Sequence, residues 1–246
     1  MYPSFIKNIH LDQKINFKFH LDSFINLFYP RSCYACNRNQ IDNDEMICME
    51  CLGNLPYTKF ESIKDNATEK LFWGRIPTSF ACSIFYFEKE NLLQKIIHQI
   101  KYKNEKKLGL FMGNLMGLKL LDLTKNHKVD FMIPMPLHPK KEKKRGYNQA
   151  TLLCKGISTI SKLAYNENAI IRIQHTQTQT KKSRIERWQN VEHVFNVPNP
   201  NVIKGKNILI IDDVITTGAS TEACGQTLLH HGAKSISICG LAHTTN

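Results

Sequence analysis

From residue 79 onward the apolar and polar positions fall into blocks that change period. Residues 80–87 are aromatic and apolar, as a buried strand is, and Leu92, Leu93, Ile96, Ile97 and Ile100 then recur at the spacing of one helix face. The same reading predicts a short buried strand over 129–133, a helix over 150–163 and a strand over 169–173. A strongly apolar strand over 207–211, a helix over 219–230 and a last strand over 235–241 complete the series. Strands that alternate with helices pack as a parallel sheet covered by helices, so the expected fold class is α/β.

Ahead of residue 79 the pattern is different. Phe24, Ile25, Leu27 and Phe28 suit a short amphipathic helix over 21–29, while 1–18 show no clear period. The chain therefore divides into an N-terminal extension over 1–27, a small module over 28–57, a linker or surface excursion over 58–78 with mixed charges, and the α/β domain over 79–246. The module holds two cysteine pairs, Cys33-Tyr-Ala-Cys36 and Cys48-Met-Glu-Cys51. Each two-residue gap forms a tight knuckle, and two knuckles supply four thiolates in a tetrahedron, the structural zinc pattern of a double zinc-ribbon-like module. An iron site or an unmetallated thiol set are the alternatives. Four thiolates leave no open coordination position, so the ion is expected to hold the fold and take no part in chemistry. The solitary Cys82, Cys154, Cys224 and Cys239 read as small buried hydrophobes.

Composition narrows the partners. With 42% apolar and 22% charged residues the chain can fill a core, and no apolar run approaches the ~18 residues of a membrane span. The first residues carry Lys7, His10, Asp12, Lys14 and Lys18 where a signal peptide needs an unbroken apolar core, so a cytoplasmic protein without membrane insertion is expected. The net charge of +12, from 33 basic and 21 acidic residues, favours nucleic acid or phosphorylated metabolites as partners, against a lysine-rich surface that is merely solvated.

The segment richest in chemistry runs Asn207-Ile-Leu-Ile-Ile-Asp212-Asp213-Val-Ile-Thr216-Thr217-Gly218-Ala219-Ser220-Thr221, a buried strand leading through two acids into a small hydroxylated loop. In an open α/β sheet, ligands sit beyond the carboxyl ends of the strands, where this loop falls. Thr216, Thr217, Gly218, Ala219 and Ser220 can turn successive backbone N–H groups and hydroxyls toward one phosphate, with Gly218 allowing a positive φ and the helix dipole favouring negative charge. Asp212 and Asp213 then address vicinal hydroxyls, a divalent cation, or both. Together these parts describe a ribose 5-phosphate site. A haloacid-type phosphatase needs an acid where Val214 stands, a receiver domain needs more chain after Asp213, and neither a P-loop nor a dinucleotide fingerprint is present.

This segment resembles the phosphoribosylpyrophosphate (PRPP) signature of type I phosphoribosyltransferases. With the cysteine knuckles, Ile100-Lys-Tyr102, Ile133-Pro-Met-Pro-Leu-His138, Arg145-Gly-Tyr-Asn-Gln149 and Arg184-x-x-Arg187-x-x-Asn190, the chain resembles the ComF family of competence-associated proteins from about residue 28 to the last strand. The resemblance implies a type I phosphoribosyltransferase-like parallel sheet flanked by helices, beside a small N-terminal four-cysteine zinc module. It further implies that Asp212 and Asp213 hold the ribose hydroxyls, that Thr216 to Thr221 hold the 5-phosphate, that Pro136 and Leu137 shape the pyrophosphate side, and that magnesium accompanies PRPP.

Two basic stretches stand beside this site. The first, His138 to Arg145 with Lys140, Lys141, Lys143 and Lys144, follows a strand's carboxyl end and is open to pyrophosphate, to a nucleic-acid backbone, or to solvent alone. The second, over 175–187 with Lys181 and Arg184, lies where type I enzymes carry a mobile flap, and its polar, basic composition suits closure over a polyanion. Two readings follow: a magnesium-dependent transferase of a phosphoribosyl group to an unspecified acceptor, and a non-catalytic competence factor. The second would grip single-stranded DNA, work beside a DNA-uptake helicase, and keep the pocket for sensing or phosphate binding.

Overall fold

The computed structural model describes residues 32–39, 45–173 and 194–244. The chain forms two compact units, Met1–Asn54 and Leu55–Asn246. The helix expected over 21–29 and the basic stretch over 175–187 lie outside the described residues.

In the smaller unit, the first knuckle is closed by Cys33 N donating to Arg38 O at 3.0 Å and Asn37 N donating to Cys33 O at 2.8 Å. A bond from Tyr34 N to Met46 O at 3.0 Å ties it to the second knuckle. There Cys48 caps the short helix α1 (Met49–Gly53), which carries Cys51 on its buried side.

The larger unit is built on a four-stranded, wholly parallel sheet in the order β1 (Thr78–Phe87), β6 (Ser235–Thr244), β5 (Asn207–Ile215) and β2 (Phe131–Pro134). The interior strand β5 buries Ile208, Leu209, Ile210 and Ile211 in succession, the signature of a strand covered on both faces. Helices connect and flank the strands: α2 (Ala67–Lys70), α3 (Leu92–Tyr102), α4 (Lys106–Asn126), α5 (Pro139–Arg145), α6 (Gln149–Ser161) and α7 (Ala219–His230). None of the described helices is long and apolar enough to cross a membrane.

Two of these elements are not read from the pattern as they stand. Helix α4, to which the sequence reading assigns no element, buries Leu108, Met112, Met116 and Leu120, and the face it turns to α6 also carries glycines. A Cβ on Gly113 would meet Leu153 O at 2.5 Å, so the two helices approach to backbone contact. The strand expected over 169–173 shrinks to β3 (Ile171–Arg172), which pairs antiparallel with β4 (Phe195–Asn196) as a separate ribbon outside the main sheet. Only Ala169 and Ile170 of that segment are buried; Ile171 and Ile173 are exposed, so one half of the apolar run packs and the other does not. The outer edge of β2 is instead met by residues 164–166, with Met132 N donating to Ala164 O and Asn166 N to Met132 O.

Residues 58–78, read from the sequence as a linker or surface excursion, fall within the larger unit and cover the outer edge of β1. Tyr57 bridges Phe85, Tyr86 N donates to Pro56 O at 2.8 Å, and Thr58 N donates to Ile84 O at 3.0 Å. Asn66 caps α2 through Thr68 N and Glu69 N and donates to Ala81 O at 2.9 Å. Phe60, Phe72 and Ile76 are buried. An edge strand satisfied in this way offers no free ladder to another chain.

Candidate phosphate-binding crevice and cysteine cluster

The carboxyl end of β5 places Asp212 and Asp213 at the rim of the sheet, and strand alternation sends neighbouring side chains to opposite faces. Asp212 meets α7: its Oδ2 accepts from Thr221 Oγ1 at 3.4 Å, and its Oδ1 accepts from Asp213 N at 2.8 Å. Asp213 meets α3, where Lys101 Nζ lies 2.7 Å from its Oδ2. Burial pushes the Asp212 carboxyl up, the neighbouring Asp213 charge adds to the shift, and the Asp213 N–H, Lys101 and Thr221 offset part of it, leaving a pKa of about 7. Both acids are half-buried.

Beyond β5 the chain turns at Gly218, whose φ of 71° makes it the left-handed cap of α7. Glycine is needed there for space as well as for conformation, because a Cβ would stand 2.9 Å from Phe72 Cε1. The turn is open: Thr216, Thr217, Ala219 and Ser220 are exposed, and Thr221 is buried beneath them. The first N–H groups of α7 have no partner within their own helix and carry the positive end of its dipole. Successive amides, two threonine hydroxyls and a serine hydroxyl can therefore converge on one anion, with a carboxylate pair behind it for hydroxyls or a cation.

Pro136 and Leu137 follow β2 beside this rim, half-buried. Met135 N donates to Ile211 O at 2.8 Å, and Met135 O accepts from Asn148 Nδ2 at 3.0 Å. The structure thus brings Asp212, Asp213, residues 216–221, Pro136 and Leu137 to the carboxyl ends of two adjacent strands. The basic run forms α5, capped by His138 Nδ1 accepting from Lys140 N, with Lys140, Lys141, Lys143 and Lys144 exposed. Arg145 is engaged elsewhere, donating to Gln149 Oε1 and lying 5.4 Å from the Tyr102 ring centroid. Lys181 and Arg184 lie outside the described residues.

Three side chains to which the sequence reading gives no role join the site. Lys101, inside the Ile100-Lys-Tyr102 stretch and directly after the core residue Ile100, pairs with Asp213. Arg75 and Phe72 come from the segment read as a linker and support the 216–218 turn from behind.

In the smaller unit, the Sγ atoms of Cys33, Cys36, Cys48 and Cys51 all lie within 4.8 Å of one another, with Cys36 and Cys48 at 3.9 Å. A tetrahedral thiolate site with ~2.3 Å metal–sulfur bonds needs sulfurs roughly 3.8 Å apart, so the four can hold a metal ion. Burial pushes the Cys33 thiol up, but the Cys36, Cys48 and Ala35 N–H groups outweigh it and bring it to about 7, whereas burial and the three neighbouring thiols push the Cys51 thiol up.

Several known proteins are similar to this chain. The phosphoribosyl transferase domain family matches residues 159–244, which include the Asp212–Thr221 segment. The competence protein F of Haemophilus influenzae is 30% identical over 154 residues, covering 61% of this chain and 67% of its own. The DNA utilization protein YhgH of Escherichia coli (strain K12) is 26% identical over 215 residues, covering 86% of this chain and 90% of its own. The competence protein ComFC of Bacillus subtilis is 36% identical over 107 residues, 43% of this chain and 41% of its own. Among solved structures, glutamine PRPP amidotransferase from B. subtilis aligns over 55% of this chain and 26% of its own, with 17% identity and a TM-score of 0.40.

Proposed function

The chain belongs to the ComF family of type I phosphoribosyltransferase-like proteins, and from this premise we propose that its crevice binds PRPP or a related ribose 5-phosphate together with magnesium. The observation that carries the reading is the exposed 216–221 turn at the mouth of α7, with its left-handed Gly218 and the Asp212–Asp213 pair at the adjoining strand end. In this reading the amides and hydroxyls of Thr216 to Thr221 hold the 5-phosphate, and Asp212 and Asp213 accept from the ribose hydroxyls. Pro136 and Leu137 line the pyrophosphate side, and Lys140, Lys141 and Lys144 supply positive potential at the rim. Lys181 and Arg184 are the further basic residues this reading gives to polyanion contact, whereas Arg145 is held by Gln149 and Tyr102. Magnesium, bound with the ligand, supplies charge neutralisation for a pyrophosphate leaving group. The protein's own part is to orient the pentose so that the C1–O bond can break toward an oxocarbenium-like state, with little side-chain acid–base chemistry.

The four-cysteine unit takes structural zinc in this account, and the protein works in the cytoplasm. The acceptor of the phosphoribosyl group is tested directly. PRPP and magnesium are titrated against the full chain, and pyrophosphate release is then followed with nucleobases and amines as acceptors. Release assigns a transferase; saturable binding without release assigns a metabolite sensor; the absence of binding by both PRPP and ribose 5-phosphate rejects the reading.

A second reading rests on α5. Its four exposed lysines stand beyond the same strand ends, and relatives carry the descriptions "DNA utilization protein" and "competence protein". Here the basic face grips single-stranded DNA during its uptake, beside a helicase, and the pocket senses a metabolite or holds a terminal phosphate.

A further inference from the structure

We propose that Arg75 is a positioning residue for the phosphate-holding turn, setting from outside the crevice the direction in which the Thr217–Gly218 peptide faces. This rests on the assignment of residues 216–221 to a phosphate.

The guanidinium of Arg75 is spent on three neighbours. Nη1 donates to Thr217 O at 2.8 Å and to Leu71 O at 2.9 Å; Nε donates to Glu222 Oε2 at 2.9 Å, and Nη2 donates to the same oxygen. A trans peptide carries its N–H antiparallel to its C=O. Pinning the Thr217 carbonyl to Arg75 therefore turns the Gly218 N–H away from the packed wall that Arg75 belongs to. A peptide free to flip would present its carbonyl oxygen to an incoming phosphate in place of a donor. Phe72, fully buried and in the same segment, fills the space against Gly218 and removes the room in which the turn would rearrange.

Arg75 does a second thing for the same turn. Glu222 lies in the first turn of α7, where an unpaired carboxylate would repel a bound phosphate. The fork of Arg75 neutralises it in a setting where the two side chains are only 34% and 22% exposed. Gln226 closes the clamp, its Nε2 donating to Arg75 O and to Glu222 Oε1, each at 3.2 Å. Lysine keeps the charge but has no planar fork, so it can serve Glu222 or Thr217 O and not both in this geometry.

The test uses the full chain. Ribose 5-phosphate is titrated calorimetrically into the wild type, Arg75→Gln, Arg75→Lys and Arg75→Gln/Glu222→Gln, each checked for cooperative melting. The ligand-free Gly218 amide resonance is recorded for each in parallel. Arg75→Gln weakens binding about tenfold or more and moves the Gly218 amide. Arg75→Lys loses less, and the double variant regains part of the affinity while its Gly218 amide stays displaced. Wild-type affinity in Arg75→Gln overturns the role, as does lost affinity with an unmoved Gly218 amide. If Arg75→Gln does not fold, Arg75→Lys carries the test by the same two readouts. A wild type that binds neither ribose 5-phosphate nor, titrated in its place, PRPP rejects the phosphate assignment itself, whereas equal binding by wild type and variant rejects only the part given to Arg75.

Discussion

Asp212 holds its proton against the usual behaviour of a carboxyl because burial and the Asp213 charge both oppose ionisation. An unfolded aspartate ionises near pH ~4, and the native one near 7, so between these values the native state binds more protons than the unfolded state. Stability contributed by this group is therefore present below about pH 4 and falls as pH rises toward 7. Asp212→Asn removes the penalty. In urea titrations the variant should gain on the wild type between pH 5 and 8 by on the order of 2 kcal/mol, and a constant difference would contradict the assignment. The cost is what a ligand site would carry, since ribose hydroxyls or a cation relieve it when bound. Asp213 has a partner of its own, the Lys101 ammonium 2.7 Å away. Sequence pattern located both acids but could not reveal this pairing, because Lys101 comes from a helix more than one hundred residues earlier in the chain.

At the scale of elements, β5 and α3 were readable because their apolar patterns are strong and uninterrupted, and α7 was readable by its place after the hydroxylated turn at Gly218. Helix α4 was not: Gly109, Gly113 and Gly117 stand beside its buried Leu108, Met112, Met116 and Leu120, and the further residues Leu110, Leu115 and Leu118 spread apolar character around the helix and blur a single face. The segment from 58 to 78 was equally opaque: its contacts are hydrogen bonds to β1 and the isolated aromatic residues Phe60 and Phe72, which carry no period. Helix α5 shows the reverse case, a charge run easily seen whose purpose local structure alone does not decide. His138 and Gly146 cap it as a discrete helix, with Lys140, Lys141, Lys143 and Lys144 in solvent. If this face grips single-stranded DNA, binding weakens steeply with salt and replacing the four lysines by Gln lowers both the affinity and the salt slope. Asp213→Asn leaves that binding in place. In filter-binding titrations, a salt slope unchanged by the four substitutions would remove α5 from the interface.

Over the whole molecule, the two units draw stability from different sources. The larger has a continuous apolar core around the parallel sheet, whereas the smaller gathers four thiols within 4.8 Å and buries few large side chains among its described residues. Its exposed Arg38–Glu50 ion pair contributes little, so a bound metal is the expected main source of its order. Zinc chelation, or Cys48→Ser, should lower the thermal stability of this unit and release zinc in a one-to-one ratio with protein; a melting profile indifferent to chelator would refute the zinc assignment. The cysteine spacing and the 212–221 segment were legible because each concentrates its chemistry in a short stretch of chain. Lys101, Phe72 and Arg75 were not, because only folding brings them to the site. The central claim is that the carboxylate pair and the 216–221 turn form one pocket for a phosphorylated pentose. It is tested most directly by calorimetric titration of PRPP with magnesium into wild type and Asp213→Asn. Saturable one-to-one binding that falls about tenfold or more in the variant is expected; equal affinity in both proteins, or none in the wild type, would contradict it.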